Sequence, residues 1–147
     1  MKKIYNIAVV GLGQVGIFLL NELNNKKKDI EIKTGTKINV VAISAKNIKK
    51  KRKFKINKKI FYTNPLNVLK KHKVDILFEA IGLSDGISKK IVEKALKSKV
   101  HVITPNKALI SKHGNYLAKL AEKNNVCLLY TSPSPRDRSL SRMPSSA

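Results

Sequence analysis

Short apolar runs alternate with amphipathic stretches along most of this chain. Four runs rich in β-branched residues predict buried strands at residues 4–10, 38–43, 74–78 and 100–103. Apolar residues at helical spacing predict three helices at 15–23, around Ile87, Ile91, Ala95 and Leu96, and at 106–123. Strands that alternate with helices favour right-handed crossovers. We therefore predict an α/β fold, a doubly wound parallel sheet with helices on both faces.

The same pattern predicts details of the helices. In the first helix, Val15, Leu19 and Leu23 share one apolar stripe, which Ile17, Phe18 and Leu20 widen. The polar segment 24–28 is expected to end the helix. Further predicted features are a helix cap at Ser84-Asp85, an interruption of the last helix at His113-Gly114 and the start of one more strand at 126–130.

Length and hydrophobicity define the broad class of the chain. Its 147 residues suffice for one domain with its own core, and 42% hydrophobic residues is typical of a globular protein. No apolar run approaches the roughly eighteen residues of a membrane helix. The start Met1-Lys2-Lys3 leads into a strand-like segment, which does not resemble a signal peptide. We expect a cytoplasmic protein.

The charge is strongly positive, with 31 Lys and Arg against 9 Asp and Glu and a net charge of +22. Taken alone, this balance indicates a nucleic-acid or anionic-membrane partner. Lys supplies 27 of the 31 cations and is scattered among many Ile and Asn residues, which is typical of proteins from AT-rich genomes. We therefore favour solvated surface lysines over a nucleic-acid partner.

A single cysteine, Cys127, excludes an internal disulfide and a zinc cluster built from cysteines. We predict no metal site. The apolar neighbours Val126 and Leu128 predict that Cys127 is buried and unreactive.

The composition changes abruptly near the C-terminus. Residues 130–147 contain no Lys, three Arg, six Ser and three of the five Pro, a composition that predicts disorder. This segment is either a native low-complexity tail or foreign sequence, because residues 127–137 resemble translated sequencing-adapter read-through. We favour the second interpretation, since the switch from Lys to Arg implies a sudden change of base composition. The predicted domain is then 1–129.

A glycine motif follows the first predicted strand and opens the first helix. Gly11 permits a tight turn, Gly13 lets backbone N–H groups approach a diphosphate, and Gly16 lets the helix pack close to the strand. The helix N-terminus favours an anion. The motif predicts a Rossmann-type dinucleotide site formed by Gly11, Leu12, Gly13, Gln14, Val15 and Gly16.

The end of the second strand indicates which cofactor is bound. An NAD site normally has Asp or Glu there, to accept hydrogen bonds from the ribose hydroxyls. This chain has Ser44-Ala45-Lys46-Asn47 instead. We therefore predict NADP, with NAD as the alternative, and Lys46 near the 2′-phosphate. The basic stretch 49–53 adds positive potential, although we interpret most of it as a solvated loop.

Two further segments lie at the carboxyl ends of strands, where such sheets bind ligands. Gly82 and Ser84 are placed to approach a ribose or phosphate, although Ser84 serves equally well as a helix cap. Lys107 falls in the first turn of a helix, where a cation opposes the helix dipole. This unfavourable position suggests that Lys107 and its neighbour Asn106 face a ligand.

Taken together, these segments resemble the nucleotide-binding domain of homoserine dehydrogenase. The resemblance covers residues 4–126 and is carried by the glycine motif, by Glu79-Ala80-Ile81-Gly82, by the segment from His101 to Ile110 (HVITPNKALI) and by His113-Gly114. The Thr-x-Asn-Lys-Ala-Leu part of that segment is the specific signal.

The resemblance implies NADPH-dependent reduction of L-aspartate 4-semialdehyde to L-homoserine, in threonine and methionine biosynthesis. It implies that Lys107 is the catalytic lysine, that Lys46 lies near the 2′-phosphate and that Ser84 and Asn106 lie beside the cofactor. Leu83 departs from the family's usual second glycine, and Pro105 from its usual alanine. The family continues beyond residue 126 with a substrate and dimerisation domain. We therefore expect an incomplete single domain, inactive alone, from an enzyme that is a homo-oligomer when intact.

Two other functions remain open. A non-catalytic nucleotide-sensing module would need the glycine motif but not Lys107. A basic nucleic-acid-binding protein would fit the charge, but only 5% of the residues are aromatic, which argues against stacking on bases.

Overall fold

The computed structural model describes residues 3–52 and 55–130. Strands and helices alternate along this part of the chain as predicted. In chain order the elements are β1 (Lys3–Val10), α1 (Gln14–Thr34), β2 (Thr36–Ser44), a 3-10 turn (Lys58–Ile60), β3 (Phe61–Tyr62), α2 (Leu66–Lys71), β4 (Ile76–Glu79), α3 (Ile87–Lys97), β5 (His101–Thr104), α4 (Lys107–Lys123) and β6 (Leu128–Tyr130).

The strands form one parallel sheet in the order β3-β2-β1-β4-β5-β6. The chain first adds strands on one side of β1 and then crosses over to add β4, β5 and β6 on the other side. This order is that of a doubly wound Rossmann fold, so the predicted fold class is confirmed. The direction of winding reverses between β1 and β4, which opens a crevice at their carboxyl ends.

Alternate residues of β1 enter two hydrophobic cores, one on each face of the sheet. Ile7 and Val9 face the core that contains Ile17 and Leu20 of α1. The other face packs against α2, α3 and α4 through Val68, Ile91, Val92, Ala95, Leu96, Leu109, Leu117 and Ala121. Because both faces are covered, β1 has the nearly continuous apolar sequence that predicted it.

Helix α1 differs from its prediction in length and in part of its apolar face. The polar segment 24–28 does not end it, because Asn and Lys side chains can extend from a helix towards solvent without breaking it. It ends before Gly35, which adopts the left-handed conformation (φ 69°) and donates its N–H to the carbonyl of Glu31 at 2.9 Å. The predicted apolar face is confirmed at Leu19 and Leu23, which pack against the core, and at Ile17 and Leu20, which are buried. It is wrong at Val15 and Phe18, which are 46% and 66% exposed.

Two other predictions about helices are wrong. His113-Gly114 does not interrupt α4, because Gly114 is buried within a continuous helix. Ser84-Asp85 does not cap α3, whose N-cap is Gly86 (φ 65°) without a side-chain hydrogen bond. The two-residue β3 and the short α2 were not predicted, since neither contains enough residues to show a period.

The last strand also corrects the interpretation of Cys127. Its side chain is exposed, because the apolar neighbours that suggested burial, Val126 and Leu128, enter the core themselves. Tyr130 is the buried end of β6 although we placed the start of the tail there, and residues 131–147 lie outside the described residues. Within residues 3–52 and 55–130, no helix is long and apolar enough to cross a membrane.

Candidate functional site

The glycine turn between β1 and α1 is held by close backbone contacts. Gly11 has φ 95° and donates its N–H to the carbonyl of Ser44 at 2.8 Å. A Cβ atom on Gly11 would lie 2.5 Å from the carbonyl carbon of Ala80, and one on Gly16 would lie 2.0 Å from the carbonyl oxygen of Gly11. Both positions therefore require glycine, for the conformation and close packing that the motif predicted.

Gly13 is different, because a Cβ atom there would meet nothing within 4 Å. Gly13 is the N-cap of α1, and its carbonyl accepts the first helical hydrogen bond from the Ile17 N–H at 3.0 Å. The helix therefore begins beside open space, with the N–H groups of its first turn directed outward from its N-terminus. This arrangement suits an anion such as a diphosphate.

A cavity of about 730 Å³ lies in front of this turn, at the reversal point of the sheet. The sequence indicated four segments at the carboxyl ends of strands, and three of them line this cavity: the glycine motif, the segment after β2 and the segment after β4. Residues 63–65 after β3 also line it, although the sequence did not indicate them. The lining residues are Gly11, Leu12, Gly13, Ser44, Ala45, Lys46, Asn47, Lys50, Arg52, Thr63, Asn64, Pro65, Ala80, Ile81, Leu83 and Ile87.

One wall of the cavity is basic. Lys46, Lys50 and Arg52 line this wall. The role of Lys46 near a 2′-phosphate stays a prediction. Arg52 donates from Nε to the carbonyl of Leu12 at 3.3 Å and from Nη1 to the carbonyl of Lys50 at 3.1 Å. Lys50 is exposed, as expected for a solvated loop, although it lines the cavity, whereas Arg52 is partly buried and held by these two bonds. The interpretation of 49–53 as a solvated loop therefore fails at Arg52, while Lys53 lies outside the described residues.

Arg52 also borders a second cavity of about 480 Å³. This cavity lies on the α1 side of the glycine turn and shares Leu12, Gly13, Lys50 and Arg52 with the first. Residues 50–52 therefore lie across the glycine turn between the two spaces.

The fourth selected segment forms the corner between β5 and α4. Asn106 caps α4, because its Oδ1 accepts the Leu109 N–H at 3.1 Å. Its Nδ2 donates to the carbonyl of Leu83 at 2.7 Å, which brings the corner against the cavity wall. Asn106 is only 5% exposed, whereas Lys107, the first residue of α4, is exposed.

Ser84 and its neighbour Asp85 lie at the outer end of the turn between β4 and α3. The Ser84 hydroxyl donates to Asp85 Oδ2 at 3.2 Å, and Ser84 is outside the cavity lining. Asp85 accepts hydrogen bonds from Lys112 and, at 2.7 Å, from His113 Nε2. These bonds, chiefly the one from Lys112, lower the pKa of Asp85 from 3.8 to about 2. The bonds from Lys112 and His113 to Asp85 tie the turn to α4.

Leu83 replaces glycine without disturbing this turn. Gly82 has φ 91°, and Leu83 is not among the described residues with positive φ. The side chain of Leu83 is 47% exposed and lines the cavity. The departure from the family pattern therefore changes the cavity wall and not the backbone.

Sequence reasoning missed the role of Glu79, the last residue of β4. It is fully buried and accepts hydrogen bonds from the turn beside the cavity and from the Thr104–Asn106 corner. The available signal was an acidic residue at the end of an otherwise apolar strand. Among the described residues, no three His, Cys, Asp or Glu side chains form a group that could hold a metal ion.

Comparison with known proteins identifies the domain. Residues 11–131 match the family model described as homoserine dehydrogenase, NAD binding domain. The chain is 31% identical over 128 residues to homoserine dehydrogenase from Neisseria gonorrhoeae, covering 87% of this chain but only 29% of that protein. The chain thus spans less than a third of that relative's length.

Solved structures agree with this assignment. A crystal structure of S. aureus homoserine dehydrogenase at pH 6.0 superposes with a TM-score of 0.81 and 31% identity, over 88% of this chain and 33% of that one. A hyperthermophilic archaeal homoserine dehydrogenase in complex with NADPH shares the fold, with a TM-score of 0.67 and 20% identity over 88% of this chain and 44% of that one. The glycine turn, the open cavity and the matched segments together place the chain in the homoserine dehydrogenase family, as that family's NAD-binding domain.

Proposed function

We propose that this domain binds NADPH and belongs to an enzyme that reduces L-aspartate 4-semialdehyde to L-homoserine. The observation that carries the proposal is the open space before Gly13 at the N-terminus of α1, in a cavity of about 730 Å³. The cavity lies within the size range of small-molecule and cofactor sites. The predicted residues Gly11, Leu12, Gly13, Gln14, Val15 and Gly16 would hold the diphosphate.

We propose that NADP is preferred to NAD. No carboxylate stands at the end of β2, and Lys46, Lys50 and Arg52 line the adjacent cavity wall. These cations favour a 2′-phosphate, whereas the ribose of NAD would lack the carboxylate that normally accepts hydrogen bonds from its hydroxyls. The archaeal homoserine dehydrogenase with NADPH supports the same cofactor.

Lys46→Glu tests this preference. We expect the ratio of NADP to NAD affinity to fall by about tenfold or more, since a charge-assisted hydrogen bond contributes about 1.5–3 kcal/mol. Lys49→Glu is the matched control, because Lys49 makes the same charge change in the same loop but lies outside the cavity lining. An unchanged ratio in Lys46→Glu would remove Lys46 from the site.

We propose that Lys107 acts on the substrate in the whole enzyme. When bound, NADPH supplies the hydride that reduces the aldehyde carbon. Lys107, exposed at the corner beside Leu83, would donate a hydrogen bond or a proton to the aldehyde oxygen. Asn106 holds this corner by capping α4, and we place Asn106 and Ser84 beside the cofactor.

A chimera tests the role of Lys107. Residues 1–126 are joined to the downstream part of a related homoserine dehydrogenase, and reduction of the semialdehyde is measured. We expect Lys107→Ala to lower kcat by 10²-fold or more, within the range typical of general acid catalysis, with NADPH still bound. An unchanged rate would contradict the role of Lys107 without affecting the cofactor proposal.

We further propose that residues 1–129 form the natural domain and that 130–147 are foreign. We also propose that the chain alone binds cofactor weakly at best and does not turn over substrate. The intact enzyme would be a cytoplasmic homo-oligomer with no nucleic-acid partner. Reading the source DNA across codon 127 tests the boundary. Continuous AT-rich sequence would contradict it.

A further inference from the structure

Glu79 is a buried acidic residue between the two halves of the proposed site. It ends β4 and is 0% exposed. Its Oε2 accepts the N–H groups of Ile81 at 2.9 Å and Gly82 at 3.0 Å. Its Oε1 accepts the Thr104 hydroxyl at 2.6 Å, and Oε2 is also 3.4 Å from Nδ2 of Asn106.

The four donors belong to two different parts of the site. Ile81 and Gly82 form the turn that lines the cofactor cavity. Thr104 and Asn106 form the corner from which α4 starts at Lys107. One carboxyl group therefore fastens the cavity wall to the corner that carries the lysine.

Other bonds reinforce this connection. The Asn106 N–H donates to the Thr104 hydroxyl oxygen at 3.0 Å, and Asn106 Nδ2 donates to the carbonyl of Leu83 at 2.7 Å. The turn and the corner thus share a network around Glu79 in which none of the described buried side-chain polar atoms lacks a partner. Such a network is stable in one geometry, because a buried polar group that loses its partners is costly.

Glu79 supplies acceptors that an apolar side chain of similar volume would not. Such a side chain would leave the Ile81 and Gly82 N–H groups and the Thr104 hydroxyl without this acceptor. The two carboxyl oxygens hold four donors at fixed distances, which an apolar residue cannot do. The arrangement suits the maintenance of a precise geometry at the site.

We propose that Glu79 is a positioning residue that couples the cofactor-facing turn at 81–83 to Lys107. The inference rests on the proposed function, since it assumes that NADPH occupies the cavity and that Lys107 acts beside it. Through Glu79, movement of the turn on cofactor binding is transmitted to the start of α4.

The test compares Glu79→Gln with Asp75→Asn in the full chain by amide NMR. Asp75 immediately precedes β4, whereas Glu79 ends it. Asp75 is a matched control because it is also an acid that accepts a backbone hydrogen bond, from the Asn6 N–H to its Oδ2 at 2.8 Å, but far from the turn and the corner. Without nucleotide, we expect Glu79→Gln to shift the Gly82 and Leu109 resonances together. Asp75→Asn should move neither resonance.

With NADPH added, the wild type and Asp75→Asn should show shifts at both Gly13 and Lys107. In Glu79→Gln the Lys107 shift should be lost, and NADPH should bind about tenfold more weakly, as expected for loss of a hydrogen bond to a charged group. A Lys107 shift that persists in Glu79→Gln, or is missing in the wild type, overturns the proposal. Failure of the wild type to bind NADPH contradicts the proposed function instead, while the nucleotide-free comparison still decides whether Glu79 joins the two parts.

Substitutions at Thr104 keep the test valid if Glu79→Gln does not fold. Thr104→Val removes the hydroxyl at nearly constant shape, and it should uncouple Lys107 from the turn as Glu79→Gln does. Thr104→Ser retains the hydroxyl and should restore the wild-type response to NADPH. Equal responses in the two Thr104 variants would contradict the proposal.

Discussion

Alanine at two glycines of the same turn should have opposite consequences. A Cβ atom at Gly16 would lie 2.0 Å from the carbonyl oxygen of Gly11, a backbone atom that cannot move without distorting the turn. A Cβ atom at Gly13 would lie in open space. We therefore expect Gly16→Ala to disrupt the fold and Gly13→Ala to disrupt only the binding of the cofactor.

The magnitudes follow from these two environments. Overpacking costs about 1–3 kcal/mol when side chains can adjust. Because the contact at Gly16 is with backbone, we expect Gly16→Ala to lower the free energy of unfolding by at least about 3 kcal/mol. At Gly13, alanine loses some preference for the N-cap position but gains about 0.4–1 kcal/mol by restricting the unfolded chain. The free energy of unfolding of Gly13→Ala should therefore stay within about 0.5 kcal/mol of wild type.

Binding of the cofactor should change in the opposite order. The new methyl group at Gly13 would occupy the space assigned to the diphosphate and displace it from the backbone N–H groups at the start of α1. Loss of one hydrogen bond to a charged group, about 1.5–3 kcal/mol, weakens binding by roughly tenfold to a hundredfold.

Titration of NADPH fluorescence measures the affinity, and chemical denaturation measures the stability of each variant. Wild-type affinity in a folded Gly13→Ala protein would refute the assignment of this space to the diphosphate. Wild-type stability in Gly16→Ala would refute the packing argument.

Three further outcomes are expected. Because its pKa falls to about 2 in the folded protein, Asp85 contributes stability that is fully present above pH 3.8 and is lost as the pH falls through about 2. Denaturation at a series of pH values should show the free energy of unfolding falling with pH over this range in wild type, and falling less steeply in Asp85→Asn. Equal slopes would contradict the Lys112 and His113 bonds. Lys99 follows the C-cap of α3 and adopts the left-handed conformation at φ 62°, so Lys99→Gly should raise the free energy of unfolding by about 1 kcal/mol. Asn125→Gly, at φ 57° after α4, should raise it less because Asn tolerates this region. The reverse order, measured by chemical denaturation, would be inconsistent with this explanation. At about 0.15 M salt, where surface charges are screened beyond about 8 Å, the protein should bind NADPH saturably and should not retain DNA. Retention of DNA by the protein without cofactor binding would favour a nucleic-acid function.

Much of the fold and part of the site could be predicted from the sequence. The all-apolar β1, the glycine turn and the helix that follows it are adjacent in the chain, so local sterics and periodicity suffice to recognise them. The carboxyl ends of parallel strands meet at one edge, and for this reason three of the four selected segments do line one cavity. The position of Lys107 at the start of a helix was equally evident, although its role stays a prediction.

The sequence alone determined the alternating fold and the demand for glycine at Gly16, because the first follows from repeating patterns and the second from a contact with the nearby Gly11. At Gly11 the motif predicted the tight turn, but the close approach to Ala80 depends on the packing of β4 beside β1. Only the tertiary structure decided that Arg52 reaches Leu12 across 40 residues, that Cys127 faces solvent and that Glu79 joins two loops. A carboxylate or guanidinium can bind any suitable donor or acceptor within reach. Which partner it meets depends on how distant segments pack, and no local pattern records that.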